Sequence, residues 1–589
     1  MDTRASAFAG HKLGRGMTRR GFITRAAAFG LSVPAVSSIL AACGGSSSGS
    51  GSTTTASTGG STSTGTTAGA TPSSGGGASA SPTADTATPQ DGGTITITMG
   101  ADATGLDPES VLNNNSGYAM AMIYDGLTAY KLGTTEVGPS LAEKWEISED
   151  AKTYTFSLRQ GVKFHDGSDF NSDAAVAWLD RLLNKSNAHY YGNQKGIDSY
   201  VDFTFSEVAS YKKSDESTLE VTMKAPHAAF LASLAMVWSG VTSPTAVEKY
   251  GYDLQKNPVG TGPFSFVEWV PNDHITVKQN SDYWGGKPHL DKVILQIVPE
   301  PSTQLLKLKS GEIQIITDPA PESIGDIKKD SKLQLLTQPG LTVLGVALPV
   351  DHAPYSDKRV RQALNYAIDK DDLCQHLFAG LAEPMGAPEP KVEWAYNDTL
   401  TPFKYDPEKA KSLLKEANFD TSQELTFWVY GTTRSYNPAG GTRVATALQG
   451  YWSKVGVNVK LQQLEWGAFL AKSRDPKLSD MALTGWSGDN GDPGNFVTSL
   501  YGTSGIPEAN QSHYSNPDVD KLLDQAEAEP DHDKRSDLYE QAQSIIWPDC
   551  PWVWLVSTTQ TKALSAKVHG LTLNPTQMYF NMNNVWLER

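Results

Sequence analysis

The strongest constraint on the fold is an abrupt change of composition near residue 90. Of the 47 residues in 44–90, 35 are Gly, Ser or Thr, and Asp85 is the one charged residue. A segment of this kind cannot bury enough apolar surface to offset its chain entropy. We therefore predict a disordered linker over 44–90. From about residue 91 onward the composition is that of an ordinary globular protein, and all fourteen tryptophans lie there.

The residues before the linker have the layout of a secretory signal. Residues 1–43 combine a basic start with an apolar stretch too short for a typical membrane-spanning helix. The Arg19–Arg20 pair resembles the twin-arginine type of bacterial export signal. The tetrapeptide LAAC at 40–43 resembles a lipobox, in which Cys43 carries the lipid. We expect an extracytoplasmic protein, periplasmic or at the cell surface, that a lipid anchors to the cell membrane.

Charge and composition exclude several classes of protein. The formal net charge is −16, whereas a nucleic-acid-binding protein needs a basic surface for phosphates. A mean hydropathy of −0.36 argues against a polytopic membrane protein. Three cysteines are too few for a disulfide scaffold or a four-cysteine zinc site. After Cys43, Cys374 and Cys550 remain, and the sequence leaves open whether they pair or stay free.

Strand and helix patterns alternate along the body, which predicts an α/β fold. Apolar side chains alternate over 153–158, which is typical of a strand. Residues 405–417 predict a helix that begins with Asp406 as N-cap and Pro407 in the first turn. Residues 425–461 read as strand, loop, helix and strand, a unit that normally makes a right-handed parallel crossover.

Two charged residues follow predicted strands of this region. Arg434 lies in a loop after the strand that ends near Tyr430, and Asp489 follows a second strand that contains Met481 and Leu483. Ligands of open parallel sheets bind outside the carboxyl ends of the strands. Both loops are therefore expected to line one edge of the sheet.

Motifs of known enzymes are missing or incomplete. The serine of GWSGD at 485–489 lacks the second glycine of a nucleophile elbow, and GK[ST], HExxH and CxxC do not occur. The eleven histidines, such as His165 and His227, are scattered and are interpreted as polar surface or core residues. We predict no catalytic residue, no metal site and no cofactor.

Several segments resemble the extracytoplasmic solute-binding proteins (family 5) of peptide-importing ABC transporters. These segments are TGPFSFVEW (261–269), NSDYWGGKPHLDKVILQIVPE (280–300), LKLKSGEIQII (306–316), SDKRVRQALNYAIDK (356–370) and YDPEKAKSLLKEA (405–417). Residues 131–167, RSYNP at 434–438 and GWSGDNGDPGNF at 485–496 are most similar to the dipeptide-binding members. Together the matches extend over the whole body.

The resemblance implies a two-lobed periplasmic-binding-protein fold (type II, Venus-flytrap) with an additional domain inserted in the first lobe. The implied solute-binding domain is 91–589. Lobe I takes about 91–131, 258–345 and 557–589, the inserted domain takes about 132–257, and lobe II takes about 346–556. In this fold, ligand is trapped between the lobes when they close.

The resemblance also implies roles for individual residues. Arg434 matches the arginine that grips the carboxylate of the peptide, and Asp489 matches the aspartate that pairs with its ammonium. Tyr436 and Trp486 match neighbouring positions of the cleft. The chemistry agrees, since both charges of a zwitterionic peptide need partners in a dry cleft.

The resemblance implies a monomeric receptor that performs no chemistry. It captures short peptides, preferably dipeptides, and delivers them to a permease whose ATPase is a separate chain. One alternative keeps the fold but changes the ligand to an oligopeptide, a nickel chelate or an oligosaccharide. A second alternative, of another class, is a tethered secreted hydrolase.

Overall fold

The computed structural model describes residues 88–194, 199–576 and 580–589. All of them belong to one compact unit, Pro82–Arg589. The predicted signal, with Arg19, Arg20 and Cys43, and the linker up to residue 87 lie outside the described residues. Within the described part, no helix is both long enough and apolar enough to cross a lipid bilayer.

The strands are spread over the whole described chain. They are β1 (Thr94–Met99), β2 (Thr128–Tyr130), β3 (Val137–Pro139), β4 (Ala142–Ile147), β5 (Thr153–Leu158), β6 (Val208–Asp215), β7 (Thr218–Met223), β8 (Phe264–Val270), β9 (His274–Gln279), β10 (Lys292–Ile297), β11 (Ile315–Ile316), β12 (Leu333–Pro339), β13 (Thr342–Ala347), β14 (Ala382–Pro384), β15 (Glu424–Tyr430), β16 (Asn458–Leu464), β17 (Met481–Ser487), β18 (Trp552–Ser565), β19 (Val568–His569) and β20 (Trp586–Leu587).

Helices alternate with these strands. They are α1 (Asn114–Ile123), α2 (Ser172–Leu183), α3 (Val201–Phe205), α4 (Phe230–Leu234), α5 (Pro244–Tyr250), α6 (Pro301–Ser310), α7 (Ile324–Lys329), α8 (Lys358–Tyr366), α9 (Lys370–Asp372), α10 (Pro407–Glu416), α11 (Gly441–Ser453), α12 (Trp466–Ser473), α13 (Val497–Tyr501), α14 (Pro517–Ala528) and α15 (His532–Asp549). A π-helical turn, Leu373–Leu377, continues α9.

One long strand connects the two halves of a large mixed sheet. The strand order is β16-β15-β17-β13-β18-β11-β1-β10-β9-β8, with β12 and β14 also paired to β18. The first residues of β18 pair with β13, and its last residues pair with β11 and β12. We call β13 and β15–β17 the second-lobe half, and β1 and β8–β11 the first-lobe half. The lobe boundaries expected after residues 345 and 556 thus fall inside β13 and β18. The limits of the lobes and of the inserted domain stay a prediction.

A separate antiparallel sheet, β4-β5-β7-β6, lies within the stretch predicted as the inserted domain. We call the described residues of 132–257 the small-sheet region. The alternation predicted for β5 is confirmed, because Tyr154, Phe156 and Leu158 are buried and the residues between them are half-exposed. These side chains pack with Trp178 of α2 in a hydrophobic core of their own.

Local sequence signals explain how α10 begins and why β18 is buried. The Asp406 side chain accepts a hydrogen bond from the Lys409 backbone, and Pro407 occupies the first turn of α10, as predicted. Trp552 and Trp554 are fully buried in β18. Burial of this apolar surface is the main stabilising contribution to the core.

The two cysteines that the sequence left open do not pair. Cys374 and Cys550 are free thiols, and both are buried. Burial raises the pKa of each thiol to about 12, so both stay protonated at neutral pH.

Candidate functional site

The predicted crossover unit places the two candidate residues at one edge of the sheet. β15 pairs in parallel with β16 and also with β17, where Phe427 lies opposite Met481. The carboxyl ends of β15 and β17 therefore point to the same edge. Arg434 follows β15 by four residues and Asp489 follows β17 by two. This is the edge at which open α/β sheets bind ligands.

A side-chain contact joins the two loops. The Ser435 Oγ and Ser487 Oγ atoms are 2.6 Å apart. Arg434 is one residue before this contact and Asp489 is two residues after it, with about 3.8 Å between consecutive Cα atoms. The two charged side chains can therefore reach a small ligand that lies across both loops.

The loop around Arg434 is held by its own backbone. The Arg434 N–H donates to the Asn437 carbonyl at 3.1 Å, and the Asn437 N–H donates back to the Arg434 carbonyl at 2.9 Å. Asn437 is fully buried and donates a side-chain hydrogen bond to the Tyr430 hydroxyl. Arg434 is thus the first residue of a tight turn, 434–437, that is anchored to the end of β15 through Asn437.

The guanidinium of Arg434 lies flat against an aromatic ring. Its central carbon is 3.5 Å from the centre of the Trp466 ring, at the start of α12. Stacking of this kind fixes the plane of the guanidinium and leaves its N–H edge for hydrogen bonds. Arg434 is half-buried, its Nε atom has no hydrogen-bond partner, and it pairs with no carboxylate among the described residues.

Asp489 is a half-buried carboxylate that is poorly solvated. Loss of solvation raises its pKa to about 6, although interactions with the Tyr200 and Asn495 side chains act in the opposite direction. Its backbone N–H donates to the Asn495 side chain at 3.3 Å. In the described part of the chain, no cationic side chain contributes to this pKa. Asp489 therefore lacks the counter-charge that a buried carboxylate normally has.

Tyr436 and Trp486 hold the two loops in place. The Tyr436 ring packs so closely on Gly485 that a Cβ atom added there would lie 2.2 Å from it. Burial raises the pKa of Tyr436 to about 12, so its hydroxyl stays neutral. The Trp486 Nε1 donates to the same Asn495 oxygen that accepts from the Asp489 backbone, at 2.9 Å. Trp486 thus fixes the position of Asp489 through Asn495.

The loop of Asp489 also contacts the small-sheet region. The Asn490 side chain donates to Ser233 Oγ at 3.1 Å, and Tyr200 reaches the Asp489 carboxylate. Farther along, His227 Nδ1 lies 2.9 Å from a carboxylate oxygen of Glu527. The structure is therefore a closed arrangement, in which the small-sheet region covers the edge of the second-lobe half.

A cavity of about 710 Å³ lies between the same two parts of the molecule. Its walls include Thr135 and Leu231 from the small-sheet region and Gly491, Trp394 and Arg535 from the other side. Gly491 and Asp492 of the loop after β17 line this cavity, whereas Asp489 and Arg434 are not among its lining residues. A partly open space thus remains next to the loop that carries Asp489.

Some residues that complete the site were not predicted from the sequence. Trp466 and Tyr200 are far in sequence from the loops that they contact, and no local pattern marks either one. Asn495 lies inside the GWSGDNGDPGNF segment that carried the resemblance, but its bridging role depends on how the loop folds back.

Comparison with known proteins identifies the family. The model described as "Bacterial extracellular solute-binding proteins, family 5 Middle" matches residues 136–508. The chain is 35% identical to the dipeptide-binding protein of Escherichia coli K12, over 80% of this chain and 90% of the relative. It is 36% identical to heme-binding protein A of Haemophilus influenzae, over 80% and 88% of the two chains.

A solved structure extends the similarity to the fold. The periplasmic binding protein DppA from Helicobacter pylori, in complex with the peptide STSA, superposes with a TM-score of 0.70 at 32% identity. The match covers 85% of this chain and 99% of that one. The two-lobed α/β fold expected from the sequence is thereby confirmed. The chain belongs to family 5 of the bacterial extracellular solute-binding proteins, whose members bind substrates for transporters.

Proposed function

We propose that this protein is the substrate-binding subunit of an ABC importer and that it captures short peptides, dipeptides in particular, by their two charged ends. One observation carries the proposal. Among the described residues, the Arg434 guanidinium has no carboxylate partner and the Asp489 carboxylate has no cationic partner, and the two stand on neighbouring loops at one sheet edge. A zwitterion with its charges a short distance apart is the ligand that satisfies both.

The energetics favour a ligand with a charge at each end. A buried ion without a partner costs several kcal/mol, and adding the partner recovers much of that cost. The ammonium of a peptide would give Asp489 the counter-charge that it lacks. The peptide carboxylate would accept two parallel hydrogen bonds from the Arg434 guanidinium, whose planar shape matches it.

Ligand length follows from clamping both ends. Each further residue lengthens an extended peptide by about 3.3–3.6 Å, so a site fitted to two residues should exclude a third unless the chain bends. The side chains of the peptide are not clamped in this arrangement. We therefore expect selection by length, with tolerance for many side chains.

The relatives support a peptide as ligand. Two similar proteins are a dipeptide-binding protein and a protein in complex with the peptide STSA, whereas a third is named a heme-binding protein. Heme carries carboxylates but no ammonium, so it would leave Asp489 without a counter-charge. Sequence similarity alone does not distinguish a peptide from heme as the ligand. The opposite charges of Arg434 and Asp489 favour the peptide.

A binding panel tests the peptide assignment. Thermal shift and calorimetry would compare a free dipeptide, its N-acetylated form, its C-terminal amide, a tripeptide, a tetrapeptide, hemin, a nickel chelate and cellobiose. We expect the free dipeptide to bind most tightly and each blocked end to weaken binding. Binding of hemin, chelate or sugar without binding of any peptide would contradict the proposal.

We further propose that the protein acts as a monomer, anchored by a lipid on Cys43 and working with a permease and a separate ATPase chain. The support is the LAAC motif after a basic and apolar start, followed by the Gly/Ser/Thr-rich segment. In the native host, Cys43→Ala should move the protein from the membrane fraction to the soluble fraction without changing its peptide affinity. If the Cys43→Ala variant stays in the membrane fraction, this result would contradict the proposed lipid anchor.

A further inference from the structure

A histidine-rich cluster lies outside the candidate peptide site. Asp351 and His352 follow β13, and His513 lies between α13 and α14. The Asp351 Oδ1 atom is 2.9 Å from His352 Nδ1 and 3.1 Å from His513 Nδ1. One potential ligand atom from each residue lies within 4.8 Å of the other two.

We propose that Asp351, His352 and His513 form a binding site for a divalent transition metal ion, with Zn²⁺ as the preferred ion. Two imidazoles and one carboxylate are a donor set that suits Zn²⁺ and leaves a fourth position for water. Bonds of about 2.0–2.2 Å in a tetrahedral site place ligand atoms about 3.4 Å apart. The donor atoms lie within 4.8 Å of one another, so the most distant pair needs to approach by at most about 1.4 Å. The two contacts of Asp351 Oδ1 with the imidazoles, at 2.9 Å and 3.1 Å, would lengthen slightly.

The three residues differ in burial in a way that suits this movement. The His513 side chain is 4% exposed, whereas those of Asp351 and His352 are 49% and 37% exposed. The buried imidazole gives the site a fixed ligand, and the two exposed side chains can adjust around the metal. The open side gives solvent access to the fourth position.

The ring of His513 is not committed to other hydrogen bonds of the protein. Its Nδ1 atom faces Asp351, and its Nε2 atom has no hydrogen-bond partner among the described residues. Coordination through Nδ1 would replace only the contact with Asp351, which itself becomes a ligand. A backbone hydrogen bond from Val350 to Ser512 at 2.9 Å already holds the two segments together.

The cluster lies at the opposite edge of the sheet from the candidate peptide site. Thr342 pairs with Ser487 near that site, whereas Ala347 pairs with Ala482 at the far end of β13. The five residue steps from Thr342 to Ala347 span about 17 Å at about 3.4 Å each. Metal binding is therefore expected to leave peptide affinity unchanged, and each function can be tested without the other.

Calorimetry and elemental analysis with Zn²⁺ test the site in the full chain without a histidine tag. We expect one equivalent of Zn²⁺ to bind, with no competition from Mg²⁺. His352→Ala and Asp351→Asn should each weaken Zn²⁺ binding at least ten-fold. His513→Asn should do the same, and it is chosen because His513 has a φ of +54°, a conformation that Asn tolerates.

His376→Ala is the matched control, because His376 and Asp372 form an exposed pair at 2.8 Å that has no third ligand in the described part of the chain. This variant should bind Zn²⁺ like the parent. Bound Co²⁺ should show the visible absorption of a tetrahedral site in the parent and lose it in His352→Ala, whose exposed position leaves the fold intact. Absence of stoichiometric Zn²⁺ binding, or equal binding by the parent and His352→Ala, would overturn the proposal.

Discussion

The ionisation of Asp489 should make peptide binding depend on pH in a narrow and informative range. Loss of solvation raises its pKa to about 6. Because the carboxylate and not the carboxylic acid pairs with an ammonium, the favourable interaction is present above pH 6 and is lost below it. The peptide itself titrates outside this range, since its amine has a pKa near 8 and its carboxyl a pKa near 3.5.

The expected magnitude follows from the fraction of Asp489 that is ionised. With a pKa of about 6, that fraction falls from about nine-tenths at pH 7 to about one-tenth at pH 5. The apparent dissociation constant of a free dipeptide should therefore rise about ten-fold between these two pH values. Below pH 6 the slope should approach one decade per pH unit.

Calorimetry with one dipeptide from pH 4.5 to pH 7.5 measures this dependence. The N-acetylated form of the same dipeptide is the matched control, because it carries no ammonium and its weaker binding should not follow the ionisation of Asp489. Asp489→Asn should bind the free dipeptide weakly and with no step near pH 6. An unchanged affinity of the parent protein from pH 7 to pH 5 would refute the reasoning.

Three further predictions follow from the same geometry. Arg434→Ala should weaken dipeptide binding by about 2–5 kcal/mol in calorimetry, whereas Arg443→Ala, an exposed arginine on α11, should bind like the parent; equal affinities for the two variants would contradict the clamp. In thermal unfolding without ligand, Asp489→Asn should be more stable than the parent by at most about 3 kcal/mol, because the pKa of Asp489 rises from 3.8 to about 6 and each pKa unit corresponds to about 1.4 kcal/mol. Because the pKa of Asp489 is raised in the folded protein, this gain should be complete above pH 6 and vanish below about pH 4; an equal gain at both pH values would exclude this cause. Glu527→Ala removes the carboxylate that contacts His227, so it should shift the protein toward open states in small-angle scattering and weaken peptide binding several-fold without altering any ligand contact; unchanged scattering and affinity would show that this contact does not stabilise closure.

Local patterns determined the secondary structure around the site. The alternation in 153–158 and in 425–429 is a property of neighbouring residues, so it indicated β5 and β15 before any tertiary contact was known. The cap of α10 is equally local, since the Asp406 side chain reaches the backbone only three residues ahead. The position of Arg434 and Asp489 beyond parallel strands followed from the same patterns.

Only the tertiary structure decided the electrostatic state of those residues. The pKa of Asp489 depends on how much water is removed by parts of the chain that are hundreds of residues away, including Tyr200. The contact between Arg434 and Trp466 joins the loop after β15 to the start of α12, and α11 and β16 lie between them in the sequence. The cluster of Asp351 with His513 likewise forms across about 160 residues of sequence. Strand and helix periodicity encodes which face a residue occupies, but desolvation and charge pairing depend on non-local packing, which one sequence does not reveal.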